Sequence, residues 1–304
     1  RSDLTEDEFR AQLVSVGIVV TGQSGDLAPA DRKQYALRDV TATVGSLPLI
    51  ASSIMSKNIA AGANGIVLDV KVGNGAFMRT EEDAHALAVL MVDIGRRMGR
   101  RVRAVISDMN QPLGRAVGNA LELEEALDTL RGRGPADFRE HCLTVAGQML
   151  QLTGQVADEA EVRAQLTDLL NSQQALAKFR EWVAAQHGDL QSVDDPELLP
   201  KARFQRAIPA PRAGYIAGVN AREVGFTSML LGGGRAKKED LIDHAVGIVL
   251  HAKAGDRVTE GQPLLTMHAN DEGKLAGAHQ RLLSAYEWSD KQIDPPPLLH
   301  RTVG

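Results

Sequence analysis

Residues 65–72 read Gly-Ile-Val-Leu-Asp-Val-Lys-Val, an almost uninterrupted apolar run that stops at Gly73-Asn74-Gly75. A run of that kind is a strand covered on both faces, and such strands belong to parallel sheets sandwiched by helices. The next segment starts polar and carries Leu87, Leu90, Met91 and Ile94 at helical spacing, and Arg101 to Ser107 is apolar again. Strand, helix, strand is the βαβ unit, whose two strands can only be parallel. The chain is therefore expected to be α/β, with a mixed, largely parallel sheet flanked by helices.

The rest of the chain surrounds that unit. Thr5 to Leu13 predicts a helix capped by Thr5, and the β-branched run Val16 to Thr21 predicts a buried strand. Gly22 to Asp26 reads as a loop, and Pro29 to Val44 and Pro48 to Ala61 read as two helices, the second with Ser46 as N-cap and Gly62 beyond its end. Residues 119 to 187 read as mostly helical, interrupted by Pro135, with an acidic stretch at Asp158 to Glu161. Around Asp194-Asp195-Pro196 and Leu199-Pro200 the texture changes. Val246–His251 and Pro263–His268 flank an Ala254–Gln262 turn region, which predicts a β-rich C-terminal part, and Glu272 to Glu287 predicts a final helix. The expected division is 1–28 as the start of an α/β domain, 29–62 as a helical-domain segment, 63–200 as the α/β domain with a helical extension, and 201–304 as a C-terminal α+β subdomain.

Composition narrows the function. The 304 residues are 43 % hydrophobic and 24 % charged, ordinary for a globular protein, with a net charge of −5 that argues against broad binding to nucleic acid. One cysteine, Cys142, excludes an internal disulfide and fits a reducing compartment. No apolar run has the roughly 18 residues of a membrane span. There is no nucleotide-binding glycine motif and no zinc-ligand spacing.

Four clusters can carry chemistry. Tyr35 and Arg38, followed by Asp39, share a helix face at i, i+3, and Ser53 and Lys57 share one at i, i+4. Two cations and a hydroxyl on adjacent helices suit an anion or a planar ligand with carbonyl oxygens. A solvated helix face is the plain alternative. Asp69 to Met78 ends a strand in a glycine-rich turn, where ligands of α/β sheets bind, or where the glycines serve tight geometry alone. Asp108, Asn110 and backbone carbonyls after the next strand offer oxygen ligands to a hard cation, or form a capped loop. Gly232-Gly233-Gly234-Arg235 is an anion nest or, more simply, a flexible hairpin.

Taken together these stretches resemble the pyrimidine nucleoside phosphorylase family, which includes thymidine phosphorylase. The resemblance rests on Gly22-Gln23, Leu27 to Asp31, Tyr35 to Val44, Ser46 to Ile50, Ser53 to Lys57, Asp69 to Met78, Asp108 to Leu113, Gly232 to Arg235, and Gly255-Asp256-x-Val258-x-x-Gly261-Gln262-Pro263-Leu264. It implies reversible phosphorolysis of a pyrimidine nucleoside to free base and α-pentose 1-phosphate, with phosphate as co-substrate and no organic cofactor. By motif, the base is held by Arg38, Ser53 and Lys57, with Tyr35 lining the pocket and Asp39 orienting Arg38. A monovalent cation, potassium, is implied at Leu113 and Ala116 through backbone oxygens and at Glu125 through its carboxylate. A cytoplasmic homodimer is implied as well, with neither nucleic acid nor membrane as partner. The family's Lys-His-Ser-Thr-Gly-Gly phosphate segment does not occur in this sequence. The chain thus resembles the C-terminal two-thirds of such an enzyme, with a remnant of its helical domain, and is expected not to turn over nucleoside by itself. The Gly255–Leu264 element also resembles the hammerhead of biotinyl and lipoyl carriers; without their modifiable lysine turn it reads as structural. Two other readings remain. One is a paralogue, an AMP phosphorylase or a phosphoribosyltransferase-like enzyme, which a substrate screen separates. The other is a non-catalytic binding fragment.

Overall fold

The computed structural model describes residues 1–22, 28–31, 43, 45–154, 158–235, 237 and 239–304. Helix α1, Glu6–Val16, starts with a capping box in which the Thr5 side chain accepts from the Glu8 N–H and the Glu8 carboxylate accepts from the Thr5 N–H. It ends at Gly17, whose φ is +83°. The strand expected at Val16 to Thr21 is not one: Val16 closes the helix, and residues 18–22 join no sheet among the described residues. A glutamine takes the place of a neighbouring strand. Gln186 Nε2 donates to Val20 O (2.7 Å) and its Oε1 accepts from the Val20 N–H (2.9 Å). The apolar side chains there stay half-exposed, Ile18 at 39 % and Val20 at 48 %. β-branched residues favour extended backbone, but a sheet needs a partner strand.

Helix α2, Leu47–Ala60, has Ser46 at its N-cap without a capping hydrogen bond, and Pro48 in its first turn. The helix expected over 29–44 lies largely outside the described residues. Strand β1, Gly65–Val72, leads through helix α3, Glu81–Arg97, to strand β2, Arg101–Asp108. Thr80 caps α3 by accepting from the Asp83 N–H (3.1 Å). Three acids fill the first turn of α3 and Arg96 and Arg97 its last, as the helix dipole favours. β1 and β2 pair in parallel from Gly65↔Arg101 to Val72↔Asp108.

Beyond β2 come β3, Ala116–Val117, and five helices: α4, Asn119–Leu130; α5, Ala136–Thr153; α6, Glu159–Asn171; α7, Gln174–Ala185; and α8, Leu190–Asp194. The C-terminal part holds β4, Phe204–Pro209; β5, Gly214–Val219; α9, Ala221–Ser228; β6, Gly247–Leu250; β7, Arg257–Val258; β8, Pro263–Ala269; α10, Glu272–Ser284; β9, Tyr286–Ser289; and β10, Leu299–Val303. The final helix is therefore shorter than expected, because Tyr286 to Ser289 pairs antiparallel with β5. Residues Met229–Gly233 form a wide helical turn that closes α9, so the glycine cluster is not a hairpin.

Among the described residues two sheets run β3-β6-β8-β4, where β3 joins three strands of the C-terminal part, and β7-β5-β9, wholly within that part. The third runs β1-β2-β10, and β10 pairs antiparallel with β2, which makes that sheet mixed. Two apolar cores result. One gathers Ala51, Met55, Ile66, Leu68, Val70, Leu87, Met91 and Ile106 between α2, α3 and one face of β1 and β2. The other gathers Ile208, Ile216, Ile248, Leu250, Leu265 and Met267 in the C-terminal part. Emptying Leu87 or Met91 to alanine would remove about 2–5 kcal/mol.

The opposite face of β1 and β2, under α5, is polar. Ser107 Oγ donates to Asp69 Oδ1 (2.6 Å), and His141 Nε2 and Lys71 Nζ lie 2.6 and 2.8 Å from Asp69 Oδ2. Burial alone would raise the Asp69 pKa. The hydrogen bonds from His141, Lys71 and Ser107 outweigh it and bring the value to about 2.

Candidate functional site

Ser53 and Lys57 sit one turn apart on α2, and Lys57 Nζ donates to Ser53 Oγ at 3.2 Å. Ser53 is buried at 5 % exposure, whereas the Lys57 side chain keeps 29 %. The same ammonium is 3.2 Å from Asp31 Oδ2, a buried carboxylate that sequence spacing did not single out. The helix thus presents a cation and a hydroxyl together, anchored by an acid from another segment. Met55, on the opposite side of the same turn, is fully buried in the core. Packing on that side fixes which way Ser53 and Lys57 face. Tyr35, Arg38 and Asp39 lie outside the described residues.

The glycine-rich turn after β1 is engaged internally. The Gly73 N–H donates to Met78 O (3.0 Å), the Asn74 N–H to Asn110 Oδ1 (3.1 Å) and the Gly75 N–H to Met109 O (2.9 Å). Gly73 has a φ of +127°, and a Cβ there would lie 2.7 Å from Asn110. The glycines therefore serve close approach between two turns, and those amides are not an open anion cradle. The turn joins the C-terminal part, where the Ala221 N–H donates to Asn110 O at 3.0 Å. Asp108 is likewise committed, with its two oxygens accepting from the backbone N–H (3.0 Å) and Nδ2 (2.6 Å) of Asn110. The capped-loop reading holds there, and no cation is needed.

Around residues 112–116 the backbone does something different. Gly114 has a φ of +70°, and a Cβ on it would run into Glu125 Oε1. The Glu125 carboxylate accepts from the N–H groups of Arg115 (2.7 Å) and Ala116 (3.2 Å). The Leu250 N–H donates to Arg115 O at 2.8 Å, so Ala116, opposite Val249, stands at a non-hydrogen-bonded position and its carbonyl is left out of the ladder. Among the described residues the Leu113 carbonyl accepts no hydrogen bond either. Burial raises the Glu125 pKa, helped by the charge of Asp137, against the backbone donors and the charge of Lys253. Neutral carbonyls and a half-buried carboxylate are oxygen donors of the type that hard cations take, with Ala116 and Glu125 on one cavity and Leu113 on another beside Pro112, Asp137 and Lys253. A cavity of about 520 Å³ opens onto Ala116, Glu125, Asp128 and Arg133. Among the described residues no group of three or more His, Cys, Asp or Glu could hold a metal through side chains alone. The partners of the turn, Lys253 and Asp137, have no sequence signature, since they lie more than a hundred residues apart.

The glycosyl transferase family a/b domain matches residues 2–176, and the pyrimidine nucleoside phosphorylase C-terminal domain matches residues 215–289. The chain is 55 % identical over 270 residues to the pyrimidine-nucleoside phosphorylase of Bacillus subtilis (strain 168), covering 89 % of this chain and 62 % of that protein. It is 52 % identical over 286 residues to the pyrimidine-nucleoside phosphorylase of Staphylococcus aureus (strain USA300), covering 94 % of this chain and 66 % of that protein. The chain belongs to the glycosyl transferase family of that α/β domain, in the group whose C-terminal domain is that of the pyrimidine nucleoside phosphorylases. It spans less than two thirds of the length of these relatives. No helix among the described residues is long and apolar enough to cross a membrane.

Proposed function

We propose that the protein to which this chain belongs catalyses phosphorolysis of pyrimidine nucleosides, uridine and thymidine among them, to free base and α-pentose 1-phosphate. The observation that carries the reading is the Ser53–Lys57 pair, with the ammonium 3.2 Å from the hydroxyl on the face of α2 away from the core. Arg38, Ser53 and Lys57 would hold the base, with Tyr35 lining the pocket and Asp39 orienting Arg38. As the N-glycosidic bond breaks, its electron pair moves onto the base and spreads to the carbonyl oxygens. Cationic donors fixed there stabilise that charge more than they stabilise the neutral nucleoside, which lowers the barrier. Phosphate attacks the anomeric carbon as it gains oxocarbenium character. This sequence has no Lys-His-Ser-Thr-Gly-Gly run, and no residue of this chain is assigned to the phosphate.

A potassium ion bound at Leu113, Ala116 and Glu125 would supply the positive charge that the half-buried Glu125 lacks and would stiffen the turn. A cytoplasmic homodimer completes the reading. The test is steady-state phosphorolysis of uridine and thymidine by the full-length protein and its Lys57→Ala variant. Loss of turnover with a stable fold supports the base clamp, and unchanged turnover with both substrates refutes it. An AMP phosphorylase would instead turn over the nucleotide and ignore the nucleosides.

A further inference from the structure

Lys253 lies on the turn that follows β6. Its backbone N–H donates to Asp256 Oδ2 (2.9 Å), and the next N–H, of Ala254, donates to Gln111 Oε1 (3.0 Å). These contacts set the turn against residues 111–114. From there the side chain, 15 % exposed, runs inward, and its ammonium donates to Pro112 O (2.7 Å), Gly114 O (2.9 Å) and the Asp137 carboxylate. An ammonium has three N–H groups, and all three are used. Two backbone carbonyls and one carboxylate are also what a bound monovalent metal ion would find. The Gly114 N–H reaches the same Asp137 carboxylate at 3.2 Å, so one lysine–aspartate pair holds both ends of the Gly114 residue.

The rest of the turn follows from that grip. The 112 and 114 carbonyls face Lys253, and the 115 and 116 amides face Glu125. The carbonyls at 113 and 116 are what remains for an external ion. We propose that Lys253 acts as a tethered cation, holding the 112–116 turn in the conformation that directs the Leu113 and Ala116 carbonyls toward a potassium ion shared with Glu125. Lys253 is a positioning residue and not an ion ligand. It reaches the site from the C-terminal part of the chain, so the affinity for the ion depends on how that part is docked. Without the ammonium, Pro112 O, Gly114 O and Asp137 lose their common donor, and Asp137 and Glu125 face each other across one turn with less to separate their charges. This inference rests on the proposed cation site, and the experiment distinguishes the failure of one from the failure of the other.

The thermal midpoint of the chain is followed against KCl, with ionic strength held constant by tetramethylammonium chloride, for the unaltered protein, Glu125→Gln and Lys253→Met. Methionine keeps most of the apolar stem and removes the charge. The unaltered protein is expected to rise in midpoint with potassium and Glu125→Gln to lose that response. Lys253→Met is expected to keep the response with its half-effect concentration raised by about tenfold. A lowered midpoint in Lys253→Met with an unchanged half-effect concentration would make Lys253 a structural tie alone and overturn the proposal. No potassium response in the unaltered protein, or an undiminished one in Glu125→Gln, removes the cation site itself and the proposal with it. If Lys253→Met does not fold, Lys253→Gln, which retains a donor without the charge, is held to the same criterion.

Discussion

Helix α2 and the 112–116 turn reach the same kind of result, a fixed array of polar atoms, by opposite routes. On α2 the two groups that matter are four residues apart on one helix, and one local hydrogen bond joins them. At the turn, atoms from residues 112–116, 125, 137 and 253 converge, and no two of those segments adjoin in the chain. The first arrangement needs a helix, a buried opposite face and one acid, Asp31, from another segment. The second needs the C-terminal part docked on the α/β part before it exists. A locally encoded pair can be altered with little effect on the rest of the fold. A turn assembled from distant segments cannot, because the contacts of Lys253 also join two parts of the molecule.

Mutations put that contrast to the test. In the full-length protein Lys57→Ala is expected to lower kcat/KM for uridine by about 100- to 1,000-fold, the scale of removing a charged transition-state donor, with a lowered thermal midpoint because buried Asp31 loses its ammonium, but with the fold retained. A variant that unfolded instead would show that the Lys57–Asp31 pair holds the helix in place rather than serving the reaction. Gly114→Ala should act on stability and cost about 2 kcal/mol in denaturant unfolding, because a side chain at a φ of +70° is strained and the added methyl meets Glu125. Ser53→Ala removes a neutral donor and should lower kcat/KM by about tenfold at constant stability. The smallest effect is expected from Asp69. Its folded-state pKa, about 2 against an ordinary 3.8, means that its stabilisation is present above the ordinary value and is lost as pH falls towards 2. Allowing for solvent screening, that is on the order of 1 kcal/mol, read as the excess acid sensitivity of the unaltered protein over Asp69→Asn. Identical acid profiles for the two proteins would remove the Asp69 cluster from the account.

The sequence was most legible where a period could be read. The βαβ unit emerged with β1 at the expected residues, and α3 buries Leu87 and Met91 on the expected face. α2 begins and ends within one residue of expectation. It was least legible where a partner decided the outcome. Val16 to Thr21 has strand composition but meets the amide of Gln186, and Tyr286 leaves the final helix because β5 offers it a ladder. The antiparallel return of β10 onto β2 has no local signal either. That Ser53 and Lys57 share one helix face followed from helical spacing, whereas the contacts of Asp31, Asp137 and Lys253 did not, since an isolated charged residue says nothing about what it will face.

From the sequence alone came the extent of β1, the amphipathic face of α3 and the one-turn spacing of Ser53 and Lys57. These are short-range consequences of backbone geometry and side-chain period, felt before any tertiary contact forms. Only the tertiary structure decided that Lys253 would lie against Pro112 and Gly114, that Glu125 would cap the amides of the same turn, and that one face of β1 and β2 would be apolar and the other charged. Hydrogen bonds and ion pairs act over a few ångströms, and only the packing of the two cores brings those distant residues within that range.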